Sequence, residues 1–325
     1  MIRSIIDIIP ASYRSRSLWV IVAIFVRAIL NFIGLALLIP LIILVLNPQN
    51  RGNIIVDFLS KHIEFDNHSN IVAYTCAALF ATILIKNLAI LLLQRIENSY
   101  ILAIYTSLSR ALLVGYYNRG LSFIKEHNSA HLARNINGIT LIFATGVLRP
   151  LMTIAGEAIL LALIFVALAI YSPLSALLAG SIFALIVILY YSVMRRRLDN
   201  IGMAENEQQR RKSRIVNEVF RGYVDIEIGG AFPLSFKRFS QAIDEAVRLR
   251  KEYSTIGMLP QMFTEVGLAL GLSVLIIINL SSSTEDLALM LGILAIAGVR
   301  ILPSLRNIMS SWSSIRYNRY TIDTL

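Results

Sequence analysis

Metal-binding and disulfide-forming residues are scarce in this chain of 325 residues, which has one cysteine and four histidines. The lone Cys76 cannot support a disulfide framework or a cysteine metal cluster. His127 and His131 stand four residues apart, but no carboxylate in register accompanies them, so the pair favours a solvated helix face over a metal site. Charged residues make up 15% of the chain, against about a quarter in an ordinary soluble domain. Such a composition excludes an ordinary soluble domain.

Apolar residues take the place of the missing charges. They form 56% of the sequence, and the mean hydropathy is +0.68. Six apolar runs, of 19 to 29 residues, are each long enough for a helix to cross a hydrocarbon core about 30 Å thick, which takes about 17 to 25 residues. The runs cover 18–46, 71–93, 150–171, 174–194, 258–280 and 287–305. We therefore expect an all-α, polytopic membrane protein with six transmembrane helices and both termini on the same side.

Lysine and arginine are unevenly divided among the connections between these runs. Of the thirty, twenty-five lie in the two termini and in two long connections, 94–149 and 195–257. Outside these segments and the runs, only Arg51 and Lys61 occur. The positive-inside rule places both termini and the long connections in the cytoplasm. The net charge of +10 is explained by this membrane topology and by attraction of the basic segments to anionic lipid headgroups. We therefore expect membrane lipid, and no nucleic acid, as a partner.

The first 17 residues resemble an interfacial segment and not a cleaved leader. The apolar run that follows is about twice the length of the apolar region of a signal peptide, and no small-residue cleavage site follows it. Isoleucines with arginines on either side of them predict a short amphipathic elbow helix at the inner surface of the membrane. These residues are Arg3, Ile5, Ile6, Ile8, Ile9, Arg14 and Arg16.

Both long connections have the composition of helices. They contain few glycines or prolines and are rich in Glu, Gln, Arg, Leu and Ala. Asn118-Arg119-Gly120 interrupts the first, and Gly229-Gly230 followed by Pro233 interrupts the second, which predicts a turn in each. Two helical arms of some 25 residues would carry each connection about 35 to 40 Å beyond the bilayer.

Several strings in this arrangement resemble a known family, the transmembrane domain of type I (type IV fold) ABC exporters. The stretch Val216–Gly222, then Asp225–Gly230, then Phe236–Phe239 is similar to the connection between the fourth and fifth spans of that family. Arg300–Leu305 is similar to the sixth span of its PglK-like group, which flips lipid-linked oligosaccharides. The resemblance implies a transmembrane domain over 18–315, the start of a linker at 316–325, and a domain-swapped homodimer.

The nucleotide-binding domain of the family has no counterpart in this sequence. No stretch matches G-x-x-x-x-G-K-[ST] or the Ser-Gly-Gly signature. We therefore expect no cofactor in this chain and no enzymatic activity from it alone. ATP and Mg²⁺ are expected on a nucleotide-binding domain that was either cut away or is a separate chain.

Resemblance to the family also assigns a role to the two turns, which carry coupling helices that contact the nucleotide-binding domains. Apolar and aromatic residues at turns far from the membrane would otherwise be exposed. The alternative is that these side chains, Tyr116 among them, pack between the arms. The candidate coupling residues are Tyr117, Asn118, Arg119, Gly120, Leu121, Phe123, Gly230, Ala231, Phe232, Pro233 and Leu234.

Charges inside the apolar runs are the candidates for a substrate site, because burying a charge costs several kcal/mol unless it pairs or meets water. Arg27, Lys86 and Arg300 could present cations to an anionic headgroup in a cavity open to the cytoplasm. In the alternative, these cations pair with Glu157 and Glu265 and fix the helix packing.

We therefore hypothesise that the chain is the permease domain of an ATP-driven exporter or flippase in the bacterial inner membrane. Its partners are a second copy, a nucleotide-binding domain and a lipid-linked or amphipathic anionic substrate, moved by alternating access. Pro303 near the inner end of the sixth run is a hinge candidate or a neutral proline. Export of a peptide or another lipid is one alternative, and a membrane scaffold without transport is another.

Overall fold

A computed structural model describes residues 5, 7–10, 13–36, 68–127, 129–171, 173–278 and 284–325, and the elements within these ranges are helices. The all-α prediction is thus confirmed for the described residues. The helices are α1 (Arg14–Ala36), α2 (His68–Asn118), α3 (Gly120–Glu126), α4 (Ser129–Arg134), α5 (Thr140–Phe143), α6 (Arg149–Tyr171), α7 (Pro173–Arg221), α8 (Tyr223–Ile228), α9 (Phe232–Ile256), α10 (Leu259–Ile278), α11 (Thr284–Tyr317) and α12 (Tyr320–Thr324).

Two of these helices are far longer than an apolar run. Helix α2 has 51 residues and α7 has 49, so each is about 75 Å long. In both, an apolar run and the basic segment beside it form one uninterrupted rod. Between α4 and α6, two π-helical turns, Asn135–Ile139 and Ala144–Leu148, flank α5, so the chain stays helical from Ser129 to Tyr171.

Glycines with positive φ lie at both predicted turns. Gly120 has φ +81° and follows the end of α2, and Gly230 has φ +60° and separates α8 from α9. A side chain at either position would be strained, because only glycine adopts this region freely. Pro233 lies in the first turn of α9, where its missing N–H costs little.

The core is arranged along α11, which borders three groups of buried side chains. One joins its end to α1, α2 and the π-helical region through Ile24, Ile104 and Phe143. Another packs Ile301 and Leu305 against α6, α7 and Ala28 of α1. A third packs Met309 and Tyr317 against α7 and α9. Helix α11 continues through Pro303, which lies between the buried Ile301 and Leu305.

Two helices among the described residues are long and apolar enough to cross a membrane, Ser15–Ala36 and Ser129–Ile170. The prediction of six such helices stays a prediction. Residues 37–46 and 279–280 of the predicted runs lie outside the described residues, as do Arg51, Lys61 and the connecting residue Ser172.

Much of the predicted elbow segment also lies outside the described residues, namely positions 1–4, 6, 11 and 12. Ile5 is buried against Val20, Ile24 and Tyr100, and Ile8 and Ile9 pack on the same group. The described isoleucines of this segment therefore contact α1 and α2.

Candidate functional site

An ion pair in the interior joins α1 to α2. Arg27 Nε lies 3.0 Å from Glu97 Oε1, and the side chains are 16% and 10% exposed. Gly156 of α6 allows this arrangement, because a Cβ there would lie 2.9 Å from Arg27 Nη2. The cation of Arg27 thus meets a carboxylate that lies beyond the end of the second apolar run.

Glu157, one of the two predicted partners for the cations, binds α11 instead. Ser304 Oγ donates to Glu157 Oε2 at 2.7 Å, and Asn307 Nδ2 donates to Oε1 at 2.8 Å. Because Gly156 contacts Arg27, this carboxylate lies next to the Arg27–Glu97 pair. Together the five side chains form what we call the paired layer: Arg27, Glu97, Glu157, Ser304 and Asn307.

Lys86 and Arg300 meet one turn or more farther along the same helices. They are close enough for their positive charges to act on each other, and Lys86 lies over Gly34, where a Cβ would be 2.7 Å from its Nζ. Among the described residues no ion pair joins either side chain to a carboxylate. Arg300 Nε is buried and has no hydrogen-bond partner there. We call Lys86 and Arg300 the cationic layer.

The helix directions fix the order of the two layers. Gly34 follows Arg27 by seven residues on α1, and Arg300 precedes Ser304 by four on α11. Along the helix axes, the two layers are therefore about 6 Å apart on α11, about 10 Å apart on α1 and about 16 Å apart between Lys86 and Glu97 on α2. Both layers lie among α1, α2 and α11, and α6 contributes to the paired layer.

Glu265 lies apart from both layers. It is on α10, is exposed, and accepts a hydrogen bond from Gln261 Nε2 at 2.9 Å. Arg306 Nη1 donates to Gln261 Oε1, the oxygen of the same side-chain amide, at 3.5 Å. The structure thus brings together four of the five charged candidates and leaves Glu265 outside.

Comparison of the chain with protein-family models and with curated proteins finds no match.

The two turns expose most of their predicted coupling residues. Tyr117 is 78% exposed, and Leu121, Phe232 and Leu234 are also exposed. Phe123 is different, since it stacks on Tyr116 at 5.9 Å between ring centroids. The exposed side chains fit a docking surface, whereas Phe123 and Tyr116 pack on each other within the first turn.

Exposed apolar residues at the second turn extend beyond the predicted set. They lie on α8 and at the end of α7, and Ile228 is 83% exposed. The others are Phe220, Tyr223 and Val224. Like Phe232, they are apolar residues beside a glycine turn, so the sequence could have indicated them. They were not predicted because the family resemblance places the coupling helix at Gly230 and after it.

A polar cavity of about 690 Å³ lies where α7, α9 and the end of α11 meet. Arg250 donates to the Tyr317 hydroxyl at 3.0 Å and lies 3.8 Å from Glu205 Oε1. Burial raises the pKa of Glu205, although Arg250 and Lys212 act in the opposite direction. In the described part of the chain, no group of three or more His, Cys, Asp or Glu side chains is arranged to hold a metal ion.

Proposed function

We propose that this chain is the translocation-pathway domain of an ATP-driven exporter or flippase for an amphipathic anionic substrate. The cationic layer is the observation that carries the proposal. Two positive side chains lie within electrostatic range of each other in an apolar part of the chain, and the carboxylates nearest along the helices already have partners. Holding such charges without a counterion is costly unless a ligand or water meets them.

The chemistry of the two side chains favours a phosphate or pyrophosphate group. Arg300 offers a planar fork that can bind two oxygens at once, and Lys86 adds a compact point charge. The surrounding helices expose apolar side chains that could accompany a lipid chain, among them Phe80, Leu84 and Ile85 of α2. A lipid-linked or other amphipathic anion satisfies both features, whereas an unmodified peptide carries no phosphate group.

Exposure of apolar side chains supports the six-span arrangement. In each of the two helices long enough to cross a membrane, 28% of the residues in the apolar window are buried, whereas the core helix of a soluble protein is mostly buried. Helices α7 and α10 also expose large apolar residues along the predicted runs, including Leu185, Ile188 and Leu270. Lipid or a second copy of the chain would cover these faces.

The long arms supply the proposed mechanical connection. Helices α2 and α7 extend without interruption from the apolar runs toward the exposed turns, so each can carry a displacement at a turn into the apolar part of the chain, and α2 carries it to Lys86. By resemblance, we assign the turns to contacts with nucleotide-binding domains that bind ATP and Mg²⁺. Closure of those domains in a domain-swapped homodimer would move the arms and expose the site to the opposite side.

The test is transport by the complete transporter, with its nucleotide-binding domain, reconstituted in lipid vesicles. Lys86→Ala and Arg300→Ala should each lower substrate flipping at least tenfold, whereas Lys86→Arg should retain most of it because the charge remains. Arg196→Ala, which removes an exposed cation from α7, is the matched control and should transport normally. Wild-type flipping by both alanine variants would overturn the substrate site, and absence of transport by the wild type would favour a scaffold.

A further inference from the structure

A groove between α7 and α11 combines an aromatic floor with two arginines. Tyr191 stacks on Trp312 with ring centroids 4.3 Å apart. The space beside this pair has a volume of about 410 Å³. Its walls are Ile188, Tyr191, Ser192, Arg195, Trp312 and Arg316. Ile188, Ser192 and Arg195 lie on one face of α7, since they are four and three residues apart.

Arg316 is held rigidly at one end of the groove. Its side chain is 7% exposed, and its Nη2 donates to Asp199 Oδ2 at 2.6 Å. The guanidinium also lies over the Trp312 ring, 5.9 Å from the centroid, and its Nε is buried without a hydrogen-bond partner among the described residues. The guanidinium is therefore fixed in place, and it lines the groove with a positive charge.

Positive charge exceeds negative charge around this point. Asp199 is shared between Arg316 and Arg319, whose Nη1 lies 3.4 Å from the same oxygen. Arg195 is near enough for its charge to lower the pKa of Arg316, although burial contributes more to that shift. One carboxylate is thus set against three arginines, so the groove favours an anion.

The groove lies where α7 changes from an apolar to a basic surface. Leu185, Ile188 and Leu189 are exposed on the apolar side, and the exposed triplet Arg195–Arg197 follows within two turns. In a membrane-spanning helix such a boundary marks the headgroup layer, where tyrosine and tryptophan are also enriched. This step depends on the proposed membrane placement of α7 and not on transport.

We propose that the groove binds an anionic phospholipid of the inner leaflet. Its phosphate contacts Arg195 beside the Arg316 guanidinium, its headgroup lies beside the Tyr191–Trp312 pair, and one acyl chain follows Ile188 and Leu185 toward the membrane centre. Basic pockets between helices at the cytoplasmic side suit such headgroups. The bound lipid touches α7 and α11 together, so it stabilises the contact between them.

A phosphate in this groove could belong to a phospholipid, which has acyl chains, or to a soluble phosphate ester, which has none. The full-length protein in detergent would be titrated with phosphatidylglycerol, phosphatidylcholine and glycerol 3-phosphate, with binding followed by native mass spectrometry and thermal unfolding. Phosphatidylglycerol should bind and raise the unfolding temperature, and the other two should do so weakly or not at all. Equal effects of the two lipids, or an equal effect of glycerol 3-phosphate, would overturn the proposal.

Variants locate the site without disturbing the buried Asp199 pair. Arg195→Gln should weaken phosphatidylglycerol binding about fivefold, as expected for one cation removed at an anionic lipid surface. Ser192→Glu, at an exposed position of the same groove, should weaken it further, while the neighbouring Arg196→Gln should bind as the wild type does. Identical binding by all three variants would also overturn the proposal. Because no ATP or transport is involved, these results are independent of the Lys86 and Arg300 test.

Discussion

The backbone carbonyl of Tyr317 lies directly against Gly202, so α11 and α7 touch main chain to main chain. A Cβ on Gly202 would overlap the Tyr317 oxygen. The Tyr317 ring stacks on Tyr253 of α9 with centroids 3.8 Å apart, and Arg250 donates to its hydroxyl. Helices α7, α9 and α11 therefore meet at this point. The close approach of α11 to α7 is possible because Gly202 has no side chain.

Gly202→Ala should destabilise the protein by about 2 to 3 kcal/mol, because the added methyl meets rigid backbone and the helices must separate. The measurement is thermal unfolding of the purified protein in detergent. Gly115→Ala is the control, since this glycine lies within α2 and a Cβ there has no atom within 4 Å. It should be neutral or slightly stabilising. Equal unfolding temperatures for the two variants would contradict the close approach at Gly202.

Loss of one partner from the interior ion pair should be costly. Glu97→Gln leaves Arg27 without its carboxylate in a largely buried position, and we expect a loss of about 3 kcal/mol. Exchanging both residues, Arg27→Glu with Glu97→Arg, should recover part of it. Glu252→Gln, which breaks the more exposed pair with Arg197, should cost at most about 1 kcal/mol. If Glu97→Gln also cost at most about 1 kcal/mol, water and not Glu97 would be stabilising the charge of Arg27.

Local chemistry explains what could be predicted from the sequence. Gly120 and Gly230 were expected at turns because glycine interrupts helical composition, and both have positive φ. The helical character of the long connections followed from residue preferences in the same way. For Lys86 and Arg300, their positions inside apolar runs made both candidates for a substrate site, and in the structure their charges are close enough to act on each other.

Contacts between distant segments could not be predicted in this way. Glu97 is the partner of Arg27, but it lies just past an apolar run, so a search for charges within the runs omitted it. The spacing could have indicated Glu97, because it follows Lys86 by eleven residues. Eleven residues are about three helical turns, so the two side chains lie on the same face of α2. Gly202 gives no such signal. Its requirement for glycine arises from Tyr317, 115 positions later in the chain, and appears only when α7 and α11 are packed.

Glu205 should make stability depend on pH. Its pKa is raised in the folded protein, so the folded state binds the proton more tightly and loses stability as pH rises from the unfolded pKa through the folded one. Glu205→Gln removes this loss, so its unfolding temperature relative to the wild type should increase from about pH 4 to about pH 7. Glu245→Gln is the opposite control, because the hydrogen bond from Arg248 lowers the pKa of Glu245. Its relative unfolding temperature should fall as the pH rises toward the unfolded pKa of about 4.3 and should change little at higher pH. A parallel response of the two variants would refute the assignment.

Replacing the exposed apolar residues at the second turn should uncouple ATP hydrolysis from transport. Phe232→Ala with Leu234→Ala removes two side chains that are exposed in this chain and that we place against a nucleotide-binding domain. Apolar anchors of this kind carry a large share of interface energy, so transport per ATP hydrolysed should fall about tenfold. The unfolding temperature of the isolated chain should not change, because neither side chain packs into its core. Leu113→Ala, equally exposed but on α2 away from this turn, should transport normally. Wild-type coupling in the double variant would show that the arms meet the ATPase elsewhere, and the exposed residues of α8 would then be the next to test.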